Sequence, residues 1–357
     1  MQICPAGATR LGRVTTRTES EMLPGMRAAV FDKPGTQGGT LSLRELPSEP
    51  LPPGHVRVRM RFAPIHPSDR LYIAGTYGKA PERWPAVPGF EGVGTVVEAR
   101  GLLGRFLKGR RVCVLAAGSG TWAEEVIVPA RRVIPIPAGL SDEQAATFFI
   151  NPATALALTR HVHRLRAGEW VVQTAANSQV GRMVIRLGKA AGFRTINLVR
   201  RPEQIAPLRS LGGDVCLVHD AETADPDSLR SQIEAQVGKA PLRAAIDPVG
   251  GPLGSTVFSL LGEGGLFVAY GSLDCRPLAI PSRSLIAGDR RVEGFWLGPW
   301  MERKSLPAKI ALIRELRGFH QQGVFETQVT ATHPLDNVQT ALQQAERSGG
   351  KILLDLR

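Results

Sequence analysis

The chain predicts an α/β protein in which a β-barrel domain carries an inserted six-stranded, doubly wound nucleotide-binding domain. Three observations support this. Residues 26–137 hold short alternating runs broken by turn residues, residues 170–297 alternate strands with helices, and the end of the chain returns to a strand, a helix and a strand. The expected boundaries are a disordered extension at 1–25, the first domain at 26–148 and 299–357, and the nucleotide domain at 149–298.

In the first region the strands are expected at 26–30, 56–60, 92–98, 111–115 and 122–128. Pro52-Pro53-Gly54, Gly89 and Gly118 punctuate them. Ser141-Asp142-Glu143-Gln144 opens a helix with capping residues, and 153–162 continues as a second helical stretch.

Residues 170–201 organise the rest. Trp170 to Thr174 is a short apolar run suited to a strand buried on both faces. Small residues follow, and Asn177 or Ser178 can cap the next helix, whose N-terminus is an anion site. Val180, Val184, Ile185 and Leu187 form an apolar stripe, Arg182, Arg186 and Lys189 are expected to face outward, and Gly192 ends the helix. The dinucleotide fingerprint is degenerate. Only Gly181 stands at a fingerprint glycine, with Ala175 or Ala176 and Ser178 at the other two places. Where the second strand ends, the carboxylate expected to bind a ribose is replaced by Arg200-Arg201, a pair suited to a 2′-phosphate, so NADPH is expected over NADH. Helices at 203–211, 229–237 and 253–261 alternate with strands at 195–199, 214–218, 243–248, 265–270 and 291–297. A polar loop spans 221–227. Beyond residue 304 come a helix, a strand at 326–330, a helix at 335–347 and a strand at 351–356.

Composition excludes several classes. With 357 residues, 43% of them hydrophobic, the chain can build two cores, and no apolar run approaches the roughly 18 residues of a membrane span. The net charge of +12 is spread without blocks, which is a poor nucleic-acid signature. Cys4, Cys113, Cys216 and Cys275 form no C-x-x-C pair, which argues against structural zinc or disulfides and for a reducing compartment. Residues 1–25 lack the apolar core of a secretory signal.

Several motifs together resemble the medium-chain dehydrogenase/reductases, and among them the zinc-free, mitochondrial-type 2-enoyl thioester reductases. They are Pro67-Ser68-Asp69 with Gly75-Thr76-Tyr77-Gly78, Pro88-Gly89-Phe90-Glu91-Gly92-Val93-Gly94, Asn151-Pro152-Ala153-Thr154-Ala155, the 175–181 turn, and Gly294-Phe295-Trp296-Leu297 with Trp300. The resemblance covers residues 26–357. Zinc members carry a histidine where Phe90 stands and a cysteine ahead of the aspartate, so no metal is expected here. His66 is read as a structural residue.

The resemblance implies NADPH-dependent reduction of the C2=C3 bond of trans-2-enoyl thioesters, carried by coenzyme A or an acyl carrier protein. It makes Tyr77 the catalytic tyrosine, with Tyr72 a decoy outside the Gly-x-Tyr-Gly setting. Asn151 and Thr154 are expected near the nicotinamide, Asn177, Ser178, Val180 and Gly181 at the pyrophosphate, and Arg200 and Arg201 at the 2′-phosphate. Tyr270 and Gly271 end a strand at the ligand edge, and Phe295, Trp296 and Leu297 are expected to wall the nicotinamide and acyl site. A homodimer, no nucleic-acid or membrane partner, and a cytoplasmic location (the mitochondrial matrix in a eukaryote) complete the expectation. The alternatives are a quinone or enone acceptor on the same fold, and a cofactor-binding protein without turnover.

Overall fold

A computed structural model describes residues 25–35, 41–78, 80–116, 120–219, 226–238, 240–347 and 349–357. The expected extension up to residue 24, Cys4, Gly118 and residues 221–225 of the polar loop lie outside them.

The strands, in chain order, are β1 (Met26–Val30), β2 (Ser42–Leu46), β3 (His55–Pro64), β4 (Glu91–Ala99), β5 (Arg111–Leu115), β6 (Glu125–Pro129), β7 (Val133–Pro135), β8 (Trp170–Gln173), β9 (Arg194–Val199), β10 (Val215–Val218), β11 (Ala244–Asp247), β12 (Leu266–Ala269), β13 (Arg291–Gly294), β14 (Val329–Pro334) and β15 (Lys351–Asp355). They build two main sheets.

The first runs β14-β15-β3-β4-β5-β7, with β6 also paired to β3, and β1 pairs with β2 beside it. Val56, Val58 and Met60 of β3 point into an apolar core with Phe31, Val96, Val112, Trp122 and Leu354. Because β15 pairs with β3, the end of the chain completes a sheet begun before the nucleotide region, and that region is an insertion in sequence.

The second sheet is parallel throughout, in the order β10-β9-β8-β11-β12-β13. Strand order reverses beside β8, which creates the crevice where such sheets bind dinucleotides. Val172, Ile196, Leu198, Ala245 and Phe267 fill one face with the helices that cover it.

Several elements differ from expectation. The 122–128 strand is β6, three residues later, because Trp122 is fully buried in the core and donates its backbone N–H to the carbonyl of Pro88. The 326–330 strand is likewise later, as β14. The 291–297 strand stops at Gly294, and a helix, Leu297–Glu302, starts where the strand was expected to end. The 153–162 helix is an α-helix, Ile150–Leu156, continued by a π-helical turn, Ala157–Val162. Residues 226–227 of the expected loop open the helix Pro226–Val237. The helices Pro67–Ile73 and Leu102–Leu107 and the strands β2 and β7 were not foreseen, being too short to show a period.

Candidate active site

The turn after β8 has the conformation that a nucleotide site requires. Ala175 has φ +46°, in the left-handed region that usually demands glycine, so alanine stands at a position built for the first fingerprint residue. Ser178 is the N-cap of the helix Gln179–Ala191, its Oγ accepting from the N–H of Gly181 at 3.1 Å. A Cβ on Gly181 would lie 2.5 Å from the carbonyl oxygen of Ala176, so only glycine lets the helix approach the turn. Val180, Val184, Ile185 and Leu187 are buried as expected. Arg182 and Arg186 do not simply face solvent. Arg182 donates to Asn177 Oδ1 (2.8 Å) and to Gln328 Oε1 (2.5 Å), and Arg186 donates to the carbonyl of Glu326 (2.6 Å), so both fasten the helix to the segment before β14. The Asn177 side chain is held by this contact.

The neighbouring strand ends complete the crevice. Asp247 is fully buried, accepting from Thr174 Oγ1 and from the backbone N–H groups of Val249 (3.1 Å) and Gly250 (2.7 Å), and burial raises its pKa. Tyr270 follows β12. Burial and the nearby Asp247 raise the pKa of its phenol, partly offset by the Ser178 hydroxyl, so it is a neutral donor. A Cβ on Gly271 would meet the Pro248 carbonyl at 2.7 Å. The residues fit a dinucleotide: backbone pressed together at two glycines, the N-terminus of a thirteen-residue helix, and the side-chain nitrogen of Gln179 buried there without a hydrogen-bond partner among the described residues. Arg200 and Arg201 follow β9, next to β8, and both are exposed. Arg201 lies 3.2 Å from Glu203.

The second half of the site comes from the barrel. Tyr77 follows the helix Pro67–Ile73 and is flanked by Gly75 and Gly78, with φ +76° and +75°. Its ring packs on Phe90 (centroids 4.9 Å apart) and meets Trp296 edge-on (5.4 Å), and its Oη accepts a hydrogen bond from Trp296 Nε1 at 3.0 Å. Burial raises its pKa, the Trp296 bond lowers it, and the nearby Asp69 raises it, for a net rise. Tyr72 is 7% exposed, its ring against Phe31 and Phe90, a core residue.

Of the three residues expected to wall the site, Trp296 touches Tyr77. Phe295 is buried in the apolar cluster beside Trp300, and Leu297 opens a helix. Asn151 and Thr154 are three apart on one helix, both 8% exposed, with Thr154 Oγ1 donating to the Ile150 carbonyl (2.7 Å). That helix packs on Gln179–Ala191.

A buried charge network beneath Tyr77 was not foreseen. Glu91 is fully buried and binds three groups: its Oε1 is 3.0 Å from His66 Nε2, and its Oε2 accepts from the N–H groups of Ile150 (2.8 Å) and Phe149 (3.3 Å). Lys351 Nζ donates to the Ile65 carbonyl (3.1 Å) and lies 3.2 Å from His66 Nδ1. Asp69 accepts from the His66 N–H at 2.6 Å, while its Oδ1 has no partner among the described residues. Burial pushes Asp69 up to about 7 and Lys351 down to about 8, and it holds His66, beside the Lys351 ammonium, in the neutral form. The signal available in the sequence was Glu91, inside a motif already noted for its glycines.

Two family models match the chain: an alcohol dehydrogenase GroES-like domain over residues 52–138 and a zinc-binding dehydrogenase over residues 180–315. The mitochondrial enoyl-[acyl-carrier-protein] reductase of Rattus norvegicus is 32% identical over 341 residues, covering 94% of this chain and 89% of that protein. Its counterpart in Arabidopsis thaliana is 32% identical over 332 residues, covering 91% and 86%. A Mesorhizobium loti structure provisionally assigned as an NADPH:quinone reductase superposes with a TM-score of 0.84 at 29% identity, covering 94% of this chain and all of that one. The mitochondrial 2-enoyl thioester reductase heterodimer of Candida tropicalis superposes at 0.81 with 23% identity, covering 93% and 100%, a likeness of fold. With its GroES-like and Rossmann-type parts in place and relatives matching nearly end to end, the chain belongs to the medium-chain dehydrogenase/reductase family, alongside the mitochondrial enoyl reductases.

Proposed function

We propose that the protein reduces the C2=C3 double bond of trans-2-enoyl thioesters, using NADPH. The observation that carries this reading is the Tyr77 hydroxyl, held by Trp296 at the junction of barrel and nucleotide domain. When bound, the cofactor supplies the hydride that adds to the β-carbon. Negative charge then moves to the α-carbon and thioester oxygen, where a donor stabilises the transition state more than the ground state. Tyr77 can do this. Its oxygen accepts from the Trp296 indole, which leaves its own hydrogen for the substrate, and its raised pKa keeps that hydrogen in place at neutral pH. The proton then passes from Tyr77 Oη to the α-carbon.

Ser178, Val180 and Gly181 would hold the pyrophosphate at the helix N-terminus, with the Asn177 side chain contributing through the turn it stabilises. Arg200 and Arg201 would hold the 2′-phosphate; Asn151, Thr154, Tyr270 and Gly271 would line the nicotinamide; and Phe295 and Leu297 would support Trp296 from behind. No zinc is needed, because a lysine ammonium already stands 3.2 Å from His66 and a phenylalanine precedes Glu91. Elemental analysis near one zinc per chain would overturn this part. The exposed edge of β13, with Val292 uncovered, supports a homodimer in which two such edges pair, measurable by light scattering. A reducing compartment, the cytoplasm or the mitochondrial matrix, fits the unpaired cysteines Cys113, Cys216 and Cys275.

The second reading, a quinone acceptor, is favoured by the Mesorhizobium loti likeness. NADPH oxidation measured side by side with crotonyl-CoA, a longer enoyl-CoA and a quinone separates the two. Turnover confined to the quinone would overturn the thioester reading.

A further inference from the structure

The helix Leu102–Leu107 turns its apolar residues the wrong way for a core. Gly104 and Leu107 face the barrel, where a Cβ on Gly104 would lie 3.2 Å from Ala99 and 3.3 Å from Val56. Leu102, Leu103 and Phe106 face out, 73%, 54% and 67% exposed. Scattered exposed apolar residues are ordinary on a protein surface, but three large ones on a single turn form a patch.

The charge beside the patch is mainly basic, and Glu98 on the adjoining strand β4 is paired with Arg57. From Ala99 to Ala123 the sequence has no acidic residue, and Arg105, Lys108 and Arg110 on and after the helix are all exposed. Arg131 adds a further exposed cation from the short helical turn Ala130–Arg132 that packs on this helix. Among the described residues none of these four pairs with a carboxylate.

We propose that this patch is a docking surface for an anionic lipid membrane, with Leu102, Leu103 and Phe106 entering the headgroup and acyl boundary and the four cations meeting acidic headgroups. Exposed apolar residues with exposed cations beside them match both components of interfacial binding. A second copy of this chain fits worse, since a two-fold contact would press the cations against their own counterparts. A substrate-bearing acidic protein also fits worse. The patch sits over Val56 at the start of β3, whose other end, Pro64, leads to His66 and the Tyr77 corner, and ten residues of strand span about 30 Å. The surface is thus remote from the reaction and would hold the enzyme at a membrane while leaving the crevice open. The expectation of no membrane partner from the sequence concerned spans, and no helix among the described residues is long and apolar enough to be one.

The test is co-sedimentation of the full chain with phosphatidylcholine vesicles containing about one-third phosphatidylserine, against vesicles of phosphatidylcholine alone. Binding should require phosphatidylserine and weaken with salt. The variant Leu102→Ser, Leu103→Ser, Phe106→Ser should lose at least about tenfold in vesicle affinity, and Arg105→Gln with Lys108→Gln several-fold, both with melting temperature and crotonyl-CoA turnover close to the parent's. The charge variant leaves the apolar residues in place, so it keeps the test valid if the triple variant folds poorly. Failure of the parent to sediment with anionic vesicles would overturn the proposal, as would retention of parental affinity by both variants. So would capture by an acidic protein that depends on the patch when vesicles are not bound.

Discussion

The two halves of the site are stabilised over different sequence distances. At the nucleotide edge the turns are held by local contacts, Ser178 capping Gly181 three residues on and Asp247 binding the N–H groups two and three residues after it, while the bonds of Thr174 to Asp247 and of Arg182 and Arg186 to residues 326–328 tie the units together. At the barrel corner the contacts are remote, with Glu91 and His66 25 positions apart, Tyr77 and Trp296 219 apart, and Lys351 and His66 285 apart. Each turn of the nucleotide edge can therefore form as its own strand-turn-helix unit packs, and the longer contacts join the units. The corner exists only when the insertion has folded and the last strand has returned.

Mutations can break or sharpen this contrast. The largest effect is expected at the corner. Tyr77→Phe removes one hydroxyl, so turnover of an enoyl thioester should fall about 10²- to 10⁴-fold, with NADPH affinity and folding near the parent's. Tyr72→Phe, in the core, should do little. Turnover of the Tyr77 variant within about threefold of the parent, in a regime where chemistry limits the rate, would refute the assigned role.

Next comes the network that holds the corner together. Glu91→Ala leaves the N–H groups of Phe149 and Ile150 and the His66 imidazole without their acceptor, and should cost about 3–5 kcal/mol in a denaturant titration. A loss below about 1 kcal/mol would mean that the corner does not depend on its remote contacts.

The nucleotide edge should respond more selectively, to one cofactor and not the other. Replacing Arg200 and Arg201 with alanine should weaken NADPH binding by roughly 10- to 100-fold per arginine while leaving NADH nearly unchanged. Equal losses for both cofactors would reduce the pair to surface charge.

The smallest effect is a displacement along the pH axis. Because Tyr77 sits above its ordinary value near 10, the donor form persists through neutral pH, and kcat/KM should fall only beyond about pH 10. The Trp296 bond pulls that value down, so Trp296→Phe should shift the alkaline limb upward and cost about tenfold or less in kcat. A shift downward would contradict the observed hydrogen bond.

Legibility followed the same division. The helix after β8 was readable because its stripe repeats with the helical period and Gly192 ends it with φ +83°. The same period placed Arg182 and Arg186 on the outer face, yet it carries no information about what covers that face, and the segment before β14 proved to be there. Tyr77 was chosen over Tyr72 from its glycine neighbours and the family likeness, and burial separates the two in the fold. Phe295 and Trp296 are adjacent in sequence but point to different surroundings, one into the core and the other to the Tyr77 hydroxyl. The turn between them follows from the end of β13 at Gly294, which the apolar run through 297 concealed.

By itself the sequence determined the two-part architecture, from the order of its strand and helix runs along the whole chain, and the nucleotide turn and the arginine pair, which depend on residue type and periodicity within about thirty positions. Tertiary structure decided the partners of Arg182 and Arg186, the Trp296 hold on Tyr77, and the burial of His66, Asp69, Glu91 and Lys351 as one network. Asp69 and Glu91 stand in motifs that carry no sign of a shared partner, and Lys351 stands in none. They become a network because pairing β15 with β3 brings the end of the chain beside its beginning, where desolvation raises the cost of any charge left unpaired.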